Sequence, residues 1–209
     1  MFSIKESVKN GWEKFKANVE VSLLATLLVV VLGSLNWKED KFHIGTLLLG
    51  LIVGIFAIII RIGYTKIFLR IYDGESPKFV DIFKEYRIFW RFLGTSILTT
   101  LAVLGGLILI VIPGIIWAVR FSFAPIIVID TKMGPVAGMK ESYAITKGNF
   151  WKILGFWIVI GLINLLGLIA LGVGLLVTIP VSTLAVIHVY RELSKAKAGL
   201  IETTTPQTA

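Results

Sequence analysis

Arg120 breaks the apolar run IPGIIWAVRFSFAPIIVID, and Asn164 breaks a second one, WKILGFWIVIGLINLLGLIALG. Counted from Pro113-Gly114 at 1.5 Å per helical residue, Arg120 lies roughly 9 Å below the nearer face of a bilayer, where a charge costs about 2.5–3.5 kcal/mol. Two readings follow. The side chain snorkels to the headgroups with Trp117 alongside, or it forms an anion or lipid-headgroup site inside a helical bundle. Asn164, about 18 Å from the opposite face, reaches a similar depth. It is either a partner in that ligand site or an interhelical hydrogen bond worth about 0.6 kcal/mol.

Glu20, Arg61 and His188 sit near the ends of three other apolar runs. A proton relay would use this trio, but an interfacial salt bridge between Glu20 and Arg61 is the simpler expectation. With no cysteine and only His43 and His188 as imidazoles, thiolate chemistry is excluded and a metal centre is not expected. No cofactor motif is present, and the apolar runs lack paired carboxylates or an activated nucleophile, so no catalytic residue is assigned and the chain reads as a non-enzyme.

The elements that must hold these residues are membrane spans. Of 209 residues 56% are hydrophobic and only 16% charged, well below the quarter or so of charged residues in a soluble domain. Apolar segments fall at 19–37, 44–63, 93–112, 114–129, 153–171 and 174–190, each near the ~20 residues that cross a bilayer. Pro113-Gly114 and Gly172-Val173-Gly174 read as tight hairpin turns. Pro125 and Pro180 remove helical donors from their spans, so kinks are expected there. Eighteen Lys and Arg fall at the termini and in alternate connections, against Lys38 and Lys41 in the others. By the positive-inside rule both termini are cytoplasmic. The predicted fold is all-α: a polytopic bundle of six transmembrane helices forming one domain over 1–194, with 195–209 a disordered cytoplasmic tail.

Each pair of spans has a charged, aromatic preface. Ser3 and Glu6 suggest a capping box for a helix whose Ile4, Val8, Trp12 and Phe15 recur at helical spacing. Ser76-Pro77 opens a second preface with Phe79, Phe83, Tyr86 and Trp90 on one face, and Gly134-Pro135 opens a third with Val136, Met139 and Tyr143, ending at Gly148 with Asn149 as the cap of the next span. FWRFLG at 89–94 and FWKILG at 150–155 match at four of six positions, and KES occurs at 5–7 and again at 140–142. The chain thus reads as three units, 1–72, 73–132 and 133–194, each a short interfacial helix and a two-span hairpin. Trp and Tyr favour the headgroup level, where Lys and Arg snorkel, so Trp12, Lys84, Arg87, Trp90, Arg91, Lys140, Lys147, Trp151 and Lys152 are candidate lipid contacts. Gly50 and Gly54 form a GxxxG pair suited to close packing inside the bundle or to oligomerisation.

The run IPGIIWAVRFSFAPIIVID, the KES...KGNFWKILGF segment after it and the Pro180 span ending VYREL resemble the YciC-like family of prokaryotic multi-pass membrane proteins. They are also similar to the membrane domain beside some glycerophosphodiester phosphodiesterases. The resemblance, over about residues 60–194, implies a bacterial or archaeal plasma-membrane protein and carries no assigned activity.

Two functions compete. One is a non-enzymatic module that binds anionic membrane lipid and supports membrane or envelope organisation, for which the net charge of +8 is better suited than for nucleic acid, because the basic residues are spread between apolar runs. The other is a small transporter or channel for an anionic or amphiphilic solute, using Arg120, Asn164 and the proline-bearing spans. The topology is directly checkable. A reporter active only in the cytoplasm should work when fused after Gly74 or Gly134 and fail when placed between Lys38 and Lys41, and activity at that last site would refute six spans.

Overall fold

The computed structural model describes residues 2–34, 44–109, 111–170 and 172–204. Lys38, Lys41 and His43 lie outside these residues, as do residues 205–209 of the expected tail. Nine α-helices and no strand occur among the described residues: α1 (Ile4–Ala17), α2 (Val19–Ser34), α3 (Ile44–Tyr72), α4 (Phe89–Leu109), α5 (Val111–Phe121), α6 (Ala124–Thr131), α7 (Pro135–Thr146), α8 (Phe150–Ile169) and α9 (Leu175–Thr204). Among the described residues five segments are long and apolar enough to cross a membrane, the α5–α6 pair counting as one. A sixth qualifies only if α1 and α2 are taken together across their 102° bend, because the described part of α2 has 16 residues.

Several local expectations change. Pro113 is not the turn of a hairpin but sits in the first turn of α5, where its missing N–H has no helical acceptor to lose. The α4–α5 hairpin instead closes around two glycines: a Cβ on Gly106 would lie 2.9 Å from Gly114 Cα. Gly172 does sit in the α8–α9 turn, with φ of 75°. At Pro125 the helix breaks outright into α5 and α6, with Pro125 in the first turn of α6 and the Ser122 hydroxyl donating to the Val119 carbonyl at 2.9 Å. α9, by contrast, runs unbroken through Pro180 and on to Thr204. The segment 195–204 is therefore helix rather than disordered tail, and Lys197 anchors it by donating to Glu141 at 2.6 Å.

The prefaces also differ from amphipathic floats. Ser3 caps α1 without a side-chain hydrogen bond, so the capping box with Glu6 is not made. The buried face of α1 carries Ser7, Gly11 and Phe15, a small-residue seam that brings it onto α9, where a Cβ on Gly11 would meet the Val181 carbonyl at 2.6 Å. The second preface is not an α-helix but two 3₁₀ turns, Phe79–Phe83 and Tyr86–Ile88. It buries Ile82 and Ile88 and leaves Phe83, Tyr86 and Trp90 outside. The reason is again a glycine: Gly63 of α3 receives the Ile82 backbone where any side chain would collide. α7 forms as expected and buries Gly138, Ser142, Ile145 and Thr146.

These contacts follow a cyclic rule. α1, which precedes the first hairpin, packs mainly on α9 of the third. The 3₁₀ segment preceding the second hairpin packs on α3 of the first, and α7, preceding the third, packs on α4, α5 and α6 of the second. In a lipid solvent, where apolar side chains gain little by leaving the hydrocarbon, small residues that let backbones meet are what makes such seams hold. Gly63→Ala should therefore destabilise the detergent-solubilised protein by about 1–3 kcal/mol through overpacking, read as a lowered unfolding midpoint. Gly50→Ala should be silent, because a Cβ there meets nothing within 4 Å.

Candidate functional site

The second helix of each hairpin, α3, the α5–α6 pair and α9, contributes to a shared cluster of charge. Asp130, in the last turn of α6, accepts hydrogen bonds from Tyr190 Oη at 2.9 Å and Arg191 Nη1 at 2.7 Å, and Lys66 Nζ of α3 lies 3.8 Å away. Arg191 also donates to Asp73, just past α3, at 2.6 Å. The Asp130 side chain is only 14% exposed, so its charge is held by these partners rather than by water. Beside it Tyr72 Oη and His188 Nδ1 are 3.0 Å apart. The ends of α3 and α6 thus meet the middle of α9.

This cluster takes the place of the expected Glu20, Arg61 and His188 trio. Glu20 and Arg61 are exposed and form no ion pair with each other; His188 is buried against Tyr72. Two of the stretches that stood out in the sequence, the run ending in Asp130 and VYREL, meet here through Asp130, Tyr190 and Arg191. A nearby network fixes the 3₁₀ segment: Asp81 accepts from Arg70 at 3.0 Å and Lys84 at 2.5 Å.

Arg120 and Asn164 are not brought together. Asn164 Nδ2 donates to Ser182 Oγ at 3.0 Å, joining α8 to α9, which is the interhelical bond of the simpler reading. Arg120, near the end of α5, lies over the Tyr143 ring of α7 at 5.0 Å. Its carbonyl accepts from Ser142 Oγ at 2.7 Å, while its Nη1 is buried without a hydrogen-bond partner. An open groove of about 680 Å³ borders this point, walled by Leu98, Leu101 and Ala102 of α4 and by Val136, Met139, Lys140 and Tyr143 of α7, with Phe121 between them.

The boundary residues divide into engaged and free ones. FWRFLG and FWKILG begin α4 and α8 at equivalent positions and share one burial pattern: the Trp and the basic residue outward, the fourth residue buried. Phe89 meets Trp90, and Phe150 meets Trp151, edge to face at the same 5.2 Å. Trp90 is 76% and Trp151 79% exposed. Trp12 is partly covered, stacked on Phe15 at 5.7 Å with Lys16 above it. Lys84 is held by Asp81, and Arg91 Nη1 donates to the carbonyl of Lys132, whose φ of 58° closes the α6–α7 turn. Arg87, Lys140, Lys147 and Lys152 are exposed and have no carboxylate partner among the described residues. Gly50 and Gly54 face outward with open space where a Cβ would stand, so they do not serve close packing inside the bundle. No group of three metal-ligating side chains occurs among the described residues.

Asp130→Asn should cost about 3–5 kcal/mol, the penalty for stranding the buried partners of a broken pair. Adding Arg191→Met to it should recover part of the loss. Unfolding midpoints of the two single variants and the double variant in one detergent measure this coupling, and strict additivity would refute it.

Residues of this chain align at 41% identity over 59 positions with the UPF0259 membrane protein SG1383 of Sodalis glossinidius (strain morsitans), covering 28% of this chain and 24% of the relative's length. No family model matches the chain, and no solved structure matches it. The similarity to a membrane protein of an uncharacterised family and the long apolar helices together identify the chain as a multi-pass membrane protein.

Proposed function

We propose that this protein is a non-enzymatic membrane module that binds anionic lipid along its basic, aromatic boundary and supports membrane or envelope organisation. The reading includes a prokaryotic plasma membrane, both termini in the cytoplasm, and kinship with the YciC-like proteins and the phosphodiesterase-associated membrane domain. The observation that carries it is how charge is spent. The carboxylates Asp73, Glu75, Asp81, Asp130 and Glu141 are all taken up by internal ion pairs, whereas Arg87, Lys140, Lys147 and Lys152 are left exposed and unpaired near Trp90 and Trp151.

A surface of free cations beside exposed indoles suits lipid phosphates at headgroup level. Transport of an anionic or amphiphilic solute, the alternative, would draw on Arg120, Asn164 and the proline-bearing spans. Arg120 and Asn164 engage different partners, Tyr143 and Ser182, which favours the lipid-binding reading.

Replacing Arg87, Lys147 and Lys152 together by Gln should lower the anionic fraction of lipid co-extracted in polymer nanodiscs, each lost cation being worth about 1 kcal/mol near an anionic surface. The enrichment of the unaltered protein should fade as salt shortens the Debye length from ~8 Å at 0.15 M to ~3 Å at 1 M. An unchanged lipid profile in the triple variant would overturn the proposal.

A further inference from the structure

We propose that the groove between α4 and α7 holds an acyl chain of an anionic lipid whose headgroup lies against Lys140. The inference rests on the lipid-binding reading above and assigns it one specific site.

The wall is built for such an occupant. Leu98, Leu101, Ala102, Val136 and Met139 present hydrocarbon, and the volume of about 680 Å³ falls in the ~300–1,000 Å³ range of sites for small amphiphiles. Both walls are helices whose backbone groups are bonded internally, so there is no free edge for a peptide strand to extend. A small soluble anion would leave the apolar wall unfilled. The polar members of the wall are a phenol and a cation, Tyr143 and Lys140.

The local electrostatics are one-sided. Glu141, beside Lys140, is drawn off by Lys197 at 2.6 Å, and Arg120, behind the Tyr143 ring, keeps a buried Nη1 with no acceptor. No carboxylate among the described residues pairs with Lys140 or Arg120. Two uncompensated cations flanking a hydrocarbon slot are complementary to a lipid with a negative headgroup and would leave a zwitterionic one less favoured. The Tyr143 ring, itself 47% exposed, stands between the slot and Arg120, placing its hydroxyl and the guanidinium within one small region.

Photo-crosslinking tests this. The protein is reconstituted in vesicles of equal parts phosphatidylcholine and phosphatidylglycerol, carrying a trace of either lipid with a diazirine on its acyl chain, and the labelled residues are mapped. The phosphatidylglycerol probe should concentrate on Leu98, Leu101, Val136 and Met139. That labelling should drop about fivefold in Lys140→Gln, the loss expected for one cation near an anionic surface, and more in Ala102→Phe, which fills the slot. Lys140 is on an exposed helix face, so its variant keeps the test valid even if Ala102→Phe does not fold. Arg87→Gln/Lys147→Gln/Lys152→Gln should leave groove labelling intact while changing the lipid shell, which separates this site from the general reading. Equal labelling of the groove by both probes, labelling spread over the outer residues Ile97, Leu104 and Ile108, or undiminished labelling in Lys140→Gln would each overturn it.

Discussion

The structure depends on one carboxylate. Asp130 draws Lys66 of α3 and Tyr190 and Arg191 of α9 to the end of α6, and Arg191 extends the contact to Asp73. One helix from each hairpin is thereby pinned at one point, α3 and α6 by their ends and α9 near its middle. A charge so little exposed would be costly alone, and its partners would be equally costly without it. The pairing therefore favours one relative placement of the three hairpins over alternatives that apolar contacts alone would tolerate, since lipid solvates apolar helix faces as well as another helix does.

With the ends tied, the close approaches of small residues can complete the ring. Gly11 admits the α9 backbone, Gly63 admits Ile82, and Gly138 accepts Val128 of α6. Each lies at a seam between a preface and the hairpin of a different unit. The prefaces therefore act as clasps between units more than as floats for their own spans. The three seams differ in detail: the glycine lies on the preface at Gly11 and Gly138 and on the receiving helix at Gly63.

What the sequence disclosed follows from this division. Long apolar runs and the entry signals FWRFLG and FWKILG were legible, because hydrophobic length and aromatic-basic boundaries are local properties; α8 begins just after the expected cap Asn149, while α4 begins at Phe89, four residues before the apolar segment 93–112. The seams were legible only in part. Of the expected face of α1, Phe15 is buried and Ile4 and Val8 pack against the core while Trp12 stays out, but the closest approach is made by Ser7 and Gly11, which a helical wheel weighted by large apolar residues passes over. The expected pairing of Arg61 with Glu20 failed for a similar reason, the cation of α3 that meets Asp130 being Lys66. Five residues rotate a helix by about 140°, and depth alone does not say which side faces the bundle. Asp130 had a signal, a lone acid closing an apolar run in a basic chain, but its partners are 60 or more residues away.

Arg120 shows how the ring and the candidate lipid site are connected. Its carbonyl is held by Ser142 and its guanidinium by the Tyr143 face, so the same turn of α7 that clasps the second hairpin also forms the wall of the groove. Glu141, on that turn, carries the Lys197 contact to α9. Whatever occupies the groove therefore touches the seam between α7 and the second hairpin directly. Arg120 is thus tied to the seam by its backbone and by its contact with the Tyr143 ring, and it sits behind the wall of the groove rather than in it, its Nη1 buried.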